Sequence, residues 1–261
     1  KETAITPILL NRGFVPLVSN AMDAYTDSEE LQESACCFYR NLASYSSEAK
    51  NEICSAGGIA CVIKTIQTLP ESAKVQESSC GALGAIIDDC DAHKNIAVSE
   101  GAIDAIICLC FVHPNNVEVL AEALGLLTSL CSVKKCMTKI VEAGGINVVV
   151  ETMRSNVSSI TIIINGCQFI HSVCSTDPKH SNQAVGAIGS IIQCMQQHPA
   201  SGKLIEATCK CLYCLVRQSE CCLNRALAAN GGSVVEQIMR DNDHTTKVVV
   251  CATKLLDELF D

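Results

Sequence analysis

The sequence has no tryptophan and only 6 prolines, and none of its uncharged apolar runs approaches the roughly 20 residues that a bilayer-spanning helix needs. Few prolines and only 15 glycines exclude collagen-like and disordered compositions, and the missing indoles leave no surface built on tryptophan stacking. No zinc-type histidine pair, glycine-rich phosphate loop or serine nucleophile elbow occurs, so the chain is not expected to be an enzyme or to hold a cofactor. Methionine is missing from position 1, which is Lys1, so the chain is expected to be cut from a longer protein with further residues upstream.

What is present is a chain of 261 residues, 48% hydrophobic, long enough to bury a sizeable core. Its net charge of -9 repels nucleic-acid phosphates, and no nucleic-acid partner is expected. Residues 1 to 130 hold 7 basic and 17 acidic side chains, a balance of -10, whereas residues 131 to 261 hold 12 and 11, a balance of +1. The 19 cysteines sit inside apolar patterns, as at Cys61, Cys108 and Cys110. A free thiol packs like a small hydrophobe, so these read as core residues of a protein from a reducing compartment, by default the cytosol.

A repeat organises the sequence. Gly57-Gly58-Ile59, Gly101-Ala102-Ile103, Gly144-Gly145-Ile146, Gly186-Ala187-Ile188 and Gly231-Gly232-Ser233 recur at steps of 44, 43, 42 and 45 residues, with Gly13-Phe14-Val15 as a degenerate first copy. Each follows a short helical stretch and precedes an apolar run, so each glycine is expected to make the turn between two helices. About ten residues on come turn signals at Thr26-Asp27-Ser28, Leu69-Pro70, His113-Pro114, Ser155-Asn156, His198-Pro199 and Asp241-Asn242-Asp243.

A longer helix follows each turn. Its core columns read Leu31-Ala35-Phe38-Leu42, Val75-Ser79-Ala82-Ile86, Val119-Ala123-Leu126-Leu130, Ile162-Gly166-Phe169-Val173, Leu204-Thr208-Cys211-Leu215 and Val248-Ala252-Leu255-Leu259. The second column is small in all six, which lets a neighbouring helix approach closely. The pattern predicts an all-α protein of about six three-helix repeats, near 1-54, 55-98, 99-141, 142-183, 184-228 and 229-261, in one solenoid whose end copies act as caps.

Two cysteine groups are candidates for chemistry. Cys209, Cys211 and Cys214 point roughly 200° and 300° apart in succession on a helix, which does not suit one zinc ion. Cys221-Cys222 falls in a turn before a short helix, where an exposed, oxidisable pair and a passive loop pair are the two readings, the passive one favoured.

The short helix, Gly-Gly or Gly-Ala turn, apolar helix and long third helix together resemble the armadillo repeat, over essentially the whole chain. The resemblance implies a right-handed α-solenoid whose third helices line a concave groove. In peptide-binding members such as nuclear import adaptors, that groove carries Trp four residues before a backbone-clamping Asn. Here the Asn positions read Asn41, Ala85, Ser129, Ser172, Cys214 and Glu258, and the Trp positions read Cys37, Gly81, Gly125, Gln168, Lys210 and Lys254. An import-type peptide ladder is thus absent.

Helical spacing places Glu77, Asp88, Asp89 and Glu122 on or near the groove side of repeats 2 and 3, and Gln168, His171, Lys210, Tyr213, Arg217 and Lys254 on that of repeats 4 to 6. An acidic half beside a basic, aromatic-bearing half suits a folded or helical protein partner with a dipolar surface. A chain made of armadillo repeats alone is similar to the armadillo-repeats-only scaffolds of apicomplexan rhoptries. That likeness implies an adaptor on the cytosolic face of a secretory organelle, recruiting a motor or signalling protein and anchored by an acylated N-terminus outside this sequence. The alternatives are a nuclear import-type adaptor and a zinc or thiol-redox protein.

Since packed helices keep the cysteines apart, the thiols are expected to be free. Zinc analysis and mass measurement without reductant should find neither bound metal nor an internal disulfide; stoichiometric zinc would overturn this assignment.

Overall fold

The computed structural model describes residues 13–241 and 245–260. Among these, every regular element is helical: sixteen α-helices and one 3₁₀ helix. No single helix among the described residues is long and apolar enough to cross a bilayer. The turn signal at Asn242 and Asp243 lies outside the described residues.

The chain divides into two compact units, Lys1–Lys139 and Ile140–Asp261. In the first, α1 (Phe14–Ala24) and α2 (Glu29–Ala43) belong to repeat 1. The helices α3 (Ser47–Ser55), α4 (Gly58–Thr68) and α5 (Ala73–Ile87) form repeat 2, and α6 (Asp91–Ser99), α7 (Ala102–Val112) and α8 (Val117–Leu130) form repeat 3, so that each repeat opens on its short first helix, ahead of the boundaries near 55 and 99 read from the sequence. The unit boundary falls within α9 (Lys134–Glu142). The second unit continues with α10 (Gly145–Ser155), α11 (Ile160–Thr176), a 3₁₀ helix (Pro178–Ala184), α12 (Ala187–Gln197) and α13 (Gly202–Gln218). It ends with α14 (Glu220–Ala228), α15 (Gly231–Asp241) and α16 (Thr246–Phe260).

The third helices pack side by side within each unit: α2 on α5 and α5 on α8 in the first, α11 on α13 and α13 on α16 in the second. In repeats 2 to 6 all four residues of every expected core column are buried. Repeat 1 differs. There Leu31 and Phe38 are only half-buried, and the core is made by Gln32, Cys36, Tyr39 and Ala43, one residue further on. The column read from the sequence faces the preceding third helix, and among the described residues none precedes α2. The other end mirrors this: on α16 the next column, Val249, Thr253, Leu256 and Phe260, is wholly or partly exposed, although its counterparts Ile205, Cys209, Leu212 and Val216 on α13 are buried. The described end faces are therefore apolar, unlike the polar outer surfaces of capping repeats.

The turn before the second helix is left-handed at Gly57 (φ 77°) and Gly144 (φ 81°), where a Cβ would be strained. In repeat 6 this conformation belongs to Asn230 (φ 56°), so the glycine pair there enters one residue later than its spacing suggests. Asn is among the few residues that tolerate αL, because its side chain bonds locally. Gly186 departs further: its φ is -64°, right-handed, and the first helix of that repeat is the 3₁₀ helix, started by Pro178 and by Asp177 accepting from the Lys179 amide at 3.3 Å.

The residue after the left-handed turn is where first and second helices touch. A Cβ on Gly58 would lie 2.5 Å from Ile53 Cγ2 and 2.9 Å from the Ile53 carbonyl oxygen, and on Gly145 at 2.5 Å and 2.8 Å from the same atoms of Ile140. Third helices start alike, with N-cap oxygens of Ser28, Asn116 and Ser159 accepting amides at 3.4, 3.0 and 3.4 Å.

Thirteen of the nineteen cysteines are buried, but Cys108 is exposed, on the outer side of α7 beside the exposed Phe111. Cys221 and Cys222 lie in the first turn of α14 rather than before it, because Ser219 caps the helix by accepting the Cys222 amide at 3.1 Å. Cys221 is exposed whereas Cys222 is buried, with its thiol against the Ser181 carbonyl at 3.3 Å, so the exposed reading holds for Cys221 alone.

Gly58→Ala should cost about 1–3 kcal/mol, because the stiff β-branched side chain of the buried Ile53 and the carbonyl of the same residue both block the new methyl. Gly125→Ala, inside α8 with nothing within 4 Å of the new atom, should raise stability by up to about 1 kcal/mol. Chemical denaturation of the two variants checks the contrast; equal effects would mean the turn has slack.

Candidate functional site

The side chains that point away from the first and second helices form one exposed row on each third helix, and this third-helix face is the candidate site. In the first unit it is low and partly neutralised. Arg40 of α2 lies across Gly81 of α5, where a Cβ would come within 2.5 Å of Nη1, and reaches Glu122 of α8 at 3.4 Å. Glycine at 81 leaves the passage for the guanidinium. Glu77 is exposed beside it, and Lys74 pairs with Glu33 at 2.9 Å. Asp88 and Asp89 stand past the end of α5. Lys50 donates to the Asp88 carbonyl oxygen at 2.9 Å, with the Asp88 carboxylate at 3.8 Å, and Asp89 takes the left-handed turn conformation with φ 56°. The Lys50 contact to Asp88 and the left-handed Asp89 both serve the turn into α6.

In the second unit α11 contributes no charge between Ile160 and Thr176. Gln168 and His171 are exposed, and Ser175 Oγ lies 3.4 Å from His171 Nδ1 and 3.4 Å from Cys214 Sγ. Although its edge is exposed, the packing around the ring removes it partly from water, which lowers the His171 pKa below its ordinary value of 6.5, and the charge of Lys210 on α13 lowers it further. On α13, Lys210 pairs with Glu206 one turn earlier. Arg217 donates to Tyr213 Oη at 2.8 Å, sits over its ring at 5.3 Å from the centroid, and reaches Glu258 of α16 at 3.1 Å. Lys254 is exposed on α16.

The structure thus brings Gln168, His171, Lys210, Tyr213, Arg217 and Lys254 onto neighbouring helices of one unit, while Glu77 and Glu122 occupy the face of the other. Sequence reasoning missed the countercharges Arg40, Glu206 and Glu258. The i,i+4 spacing of Glu206 and Lys210 was a legible signal. The reach of Arg40 across two helices was not, since nothing in its own helix announces it.

No group of three or more His, Cys, Asp or Glu among the described residues is arranged to hold a metal ion. Cys209, Cys211 and Cys214 are buried, with the Cys209 thiol pushed up to about 12 by burial. A hydrogen bond involving Cys167, together with burial, raises the Cys211 thiol well above its ordinary value. Thiols held protonated in this way are poor nucleophiles and poor ligands.

The folded-state pKa of His171 lies below that of the unfolded chain, so its protonation costs stability as the pH falls through 6.5. Its ring resonances should titrate with a midpoint below 6.5, and Lys210→Gln should raise that midpoint only part of the way, because burial is the larger cause. A midpoint at or above 6.5 in the native protein would contradict the geometry.

No family model matches the sequence. Vacuolar protein 8 of Saccharomyces cerevisiae is 31% identical over 136 residues, covering 52% of this chain and 22% of that protein. Vacuolar protein 8 of Candida albicans is 30% identical over 125 residues, covering 48% and 20%. The matched stretches thus span about a fifth of these relatives. Among solved structures, a designed armadillo repeat protein in complex with peptide (KR)4 superposes with a TM-score of 0.75 at 16% identity, over 94% of this chain and 99% of the other. A structure described with the cadherin and beta-catenin interaction superposes with a TM-score of 0.75 at 15% identity, over 98% of this chain and 56% of the other. Helix order, the repeated core columns and these superpositions agree: by fold, the chain is an armadillo-repeat α-solenoid of about six three-helix repeats.

Proposed function

We propose that this chain is a non-catalytic scaffold, its six repeats acting as one solenoid that binds a protein partner along its third-helix faces. The observation that carries this reading is the row of exposed polar side chains on α11, α13 and α16, centred on the stacked and hydrogen-bonded Tyr213–Arg217 pair. Tyr and Arg dominate interface energetics because they bury apolar area while keeping directional donors. On the first unit, Glu77 and Glu122 are the partner-facing residues of its own third-helix face, with Asp88 and Asp89 at its margin.

The fungal relatives carry a vacuolar name, which supports an organelle setting in general more than the rhoptry in particular. We place the scaffold in the cytoplasm, on the cytosolic face of an organelle membrane. An acylated N-terminal segment outside this sequence would hold it there, and it would position the organelle by recruiting a motor or signalling protein. Stable anchoring of that kind takes two lipid or charge signals, since one acyl chain binds only reversibly. Against the import-adaptor reading stand the five replaced Asn positions and the six replaced Trp positions.

Tyr213→Ala together with Arg217→Glu should cost at least ~2 kcal/mol of partner binding and leave the helical fold intact, since neither residue is in a core column. Arg217→Gln alone controls for the lost pair with Glu258. The measurement is recovery of the native partner from lysate by wild-type and substituted protein of matched thermal stability. An unchanged partner set would move recognition off this face.

A further inference from the structure

The face of the second unit carries lysines in register. Counted from the buried Leu204 of α13 and Val248 of α16, Lys203 and Lys247 come one residue before, and Lys210 and Lys254 six residues after. On each helix the two lysines are two turns apart on one side, about 10 Å along the axis. The two helices pack directly on each other, at the roughly 8–10 Å usual for packed helices. Four exposed lysines therefore stand at the corners of a square whose backbone positions are about 10 Å apart.

The acidic residue within that square is Glu206, paired with Lys210 and also influenced by Lys247. Four lysines against one glutamate leave +3, on a chain whose net charge is -9. Among the described residues, Lys203, Lys247 and Lys254 form no ion pair. Of the remaining acids on this face, Glu258 is taken by Arg217, and Asp257 lies beyond Lys254 towards the helix end.

Two of the lysines also stand where a helix least tolerates them. Lys203 and Lys247 are the second residues of α13 and α16, at the positive end of the helix dipole. The helices α2, α3, α6, α8 and α14 each place an acidic residue in that first turn. Lysine at this place also occurs on α5, where Lys74 is the second residue and pairs with Glu33, and on α9, which begins Lys134-Lys135; among the described residues Lys203 and Lys247 lack such an ion pair. The neighbouring α11 adds no charge, and Gln168 and Ser172 offer neutral polar groups beside it.

We infer that this lysine square docks an extended acidic segment of the partner protein. The inference rests on the scaffold reading and names the chemistry of its ligand, opposite in sign to the (KR)4 peptide held by the designed protein of the same fold. An extended chain advances about 3.3 Å per residue, so carboxylates on every third residue would match the spacing of about 10 Å. The chain's net charge of -9 disfavours a long polyanion such as nucleic acid.

The test is fluorescence anisotropy of the whole 261-residue chain with three labelled peptides, EGSEGSEGSE, QGSQGSQGSQ and KGSKGSKGSK, in low-salt buffer. The acidic peptide should bind at least about tenfold more tightly than the other two and weaken as salt is added. Lys203→Glu with Lys247→Glu should lower its affinity about tenfold or more without changing helicity, while Lys139→Glu, an exposed lysine outside the square, should leave it unchanged. Equal losses from Lys139→Glu would show attraction by net charge alone and overturn the proposal, as would preference for the basic peptide. Phosphatidylserine vesicles that bind with the same lysine dependence and displace the peptide would overturn it in favour of a membrane surface. If no acidic peptide binds but the Tyr213 and Arg217 substitutions still release the native partner, this inference falls and the scaffold reading stands.

Discussion

Each internal third helix in a unit buries two adjacent columns of side chains, one against the helix before it and one against the helix after it. On α13 these are Leu204, Thr208, Cys211 and Leu215, and then Ile205, Cys209, Leu212 and Val216. The rest of the structure follows from this double burial. A small second column lets neighbouring backbones approach, and the glycine between first and second helices lets those two close over the same core. With both flanks of a third helix committed to neighbours, only its remaining face is free to meet another molecule.

This constraint explains which parts of the fold were legible in the sequence. A periodicity repeated six times averages out local exceptions, so helix types, order and core columns could be read directly. The misreadings arose where a local choice replaced the shared one. Leu31 and Phe38 carry the right pattern but have no preceding third helix among the described residues. Asn230 performs the left-handed turn that a glycine performs elsewhere, and Pro178 starts a 3₁₀ helix where an α-helix was expected. Cys221 and Cys222 were displaced by a cap at Ser219, whose role depends on where the helix begins.

The candidate site was legible as a face but not as an electrostatic surface. Helical spacing says which side of a helix a residue occupies, and it puts Lys210, Tyr213, Arg217 and Lys254 on one side of their helices. It says nothing of partners on the next helix. Arg40 passing over Gly81 to Glu122, and Arg217 reaching Glu258, both depend on the lateral packing of third helices and both reduce the charge contrast suggested by counting. What survives of that contrast is local: a glycine-floored, partly neutralised face in one unit and a lysine-bearing one in the other.

The distribution of thiols has a consequence beyond packing. Repeats 1 to 5 each contain at least one cysteine in a closed environment, among them Cys36, Cys80, Cys131, Cys174 and Cys209, while Cys37, Cys108 and Cys221 face solvent. Burial holds the thiols of Cys36, Cys131, Cys174 and Cys209 at about 12, so an alkylating reagent meets almost no thiolate there until the surrounding helices part. The chain therefore carries its own record of local opening. The order in which its cysteines become labelled ranks the repeats by how readily each one breathes, without any introduced probe.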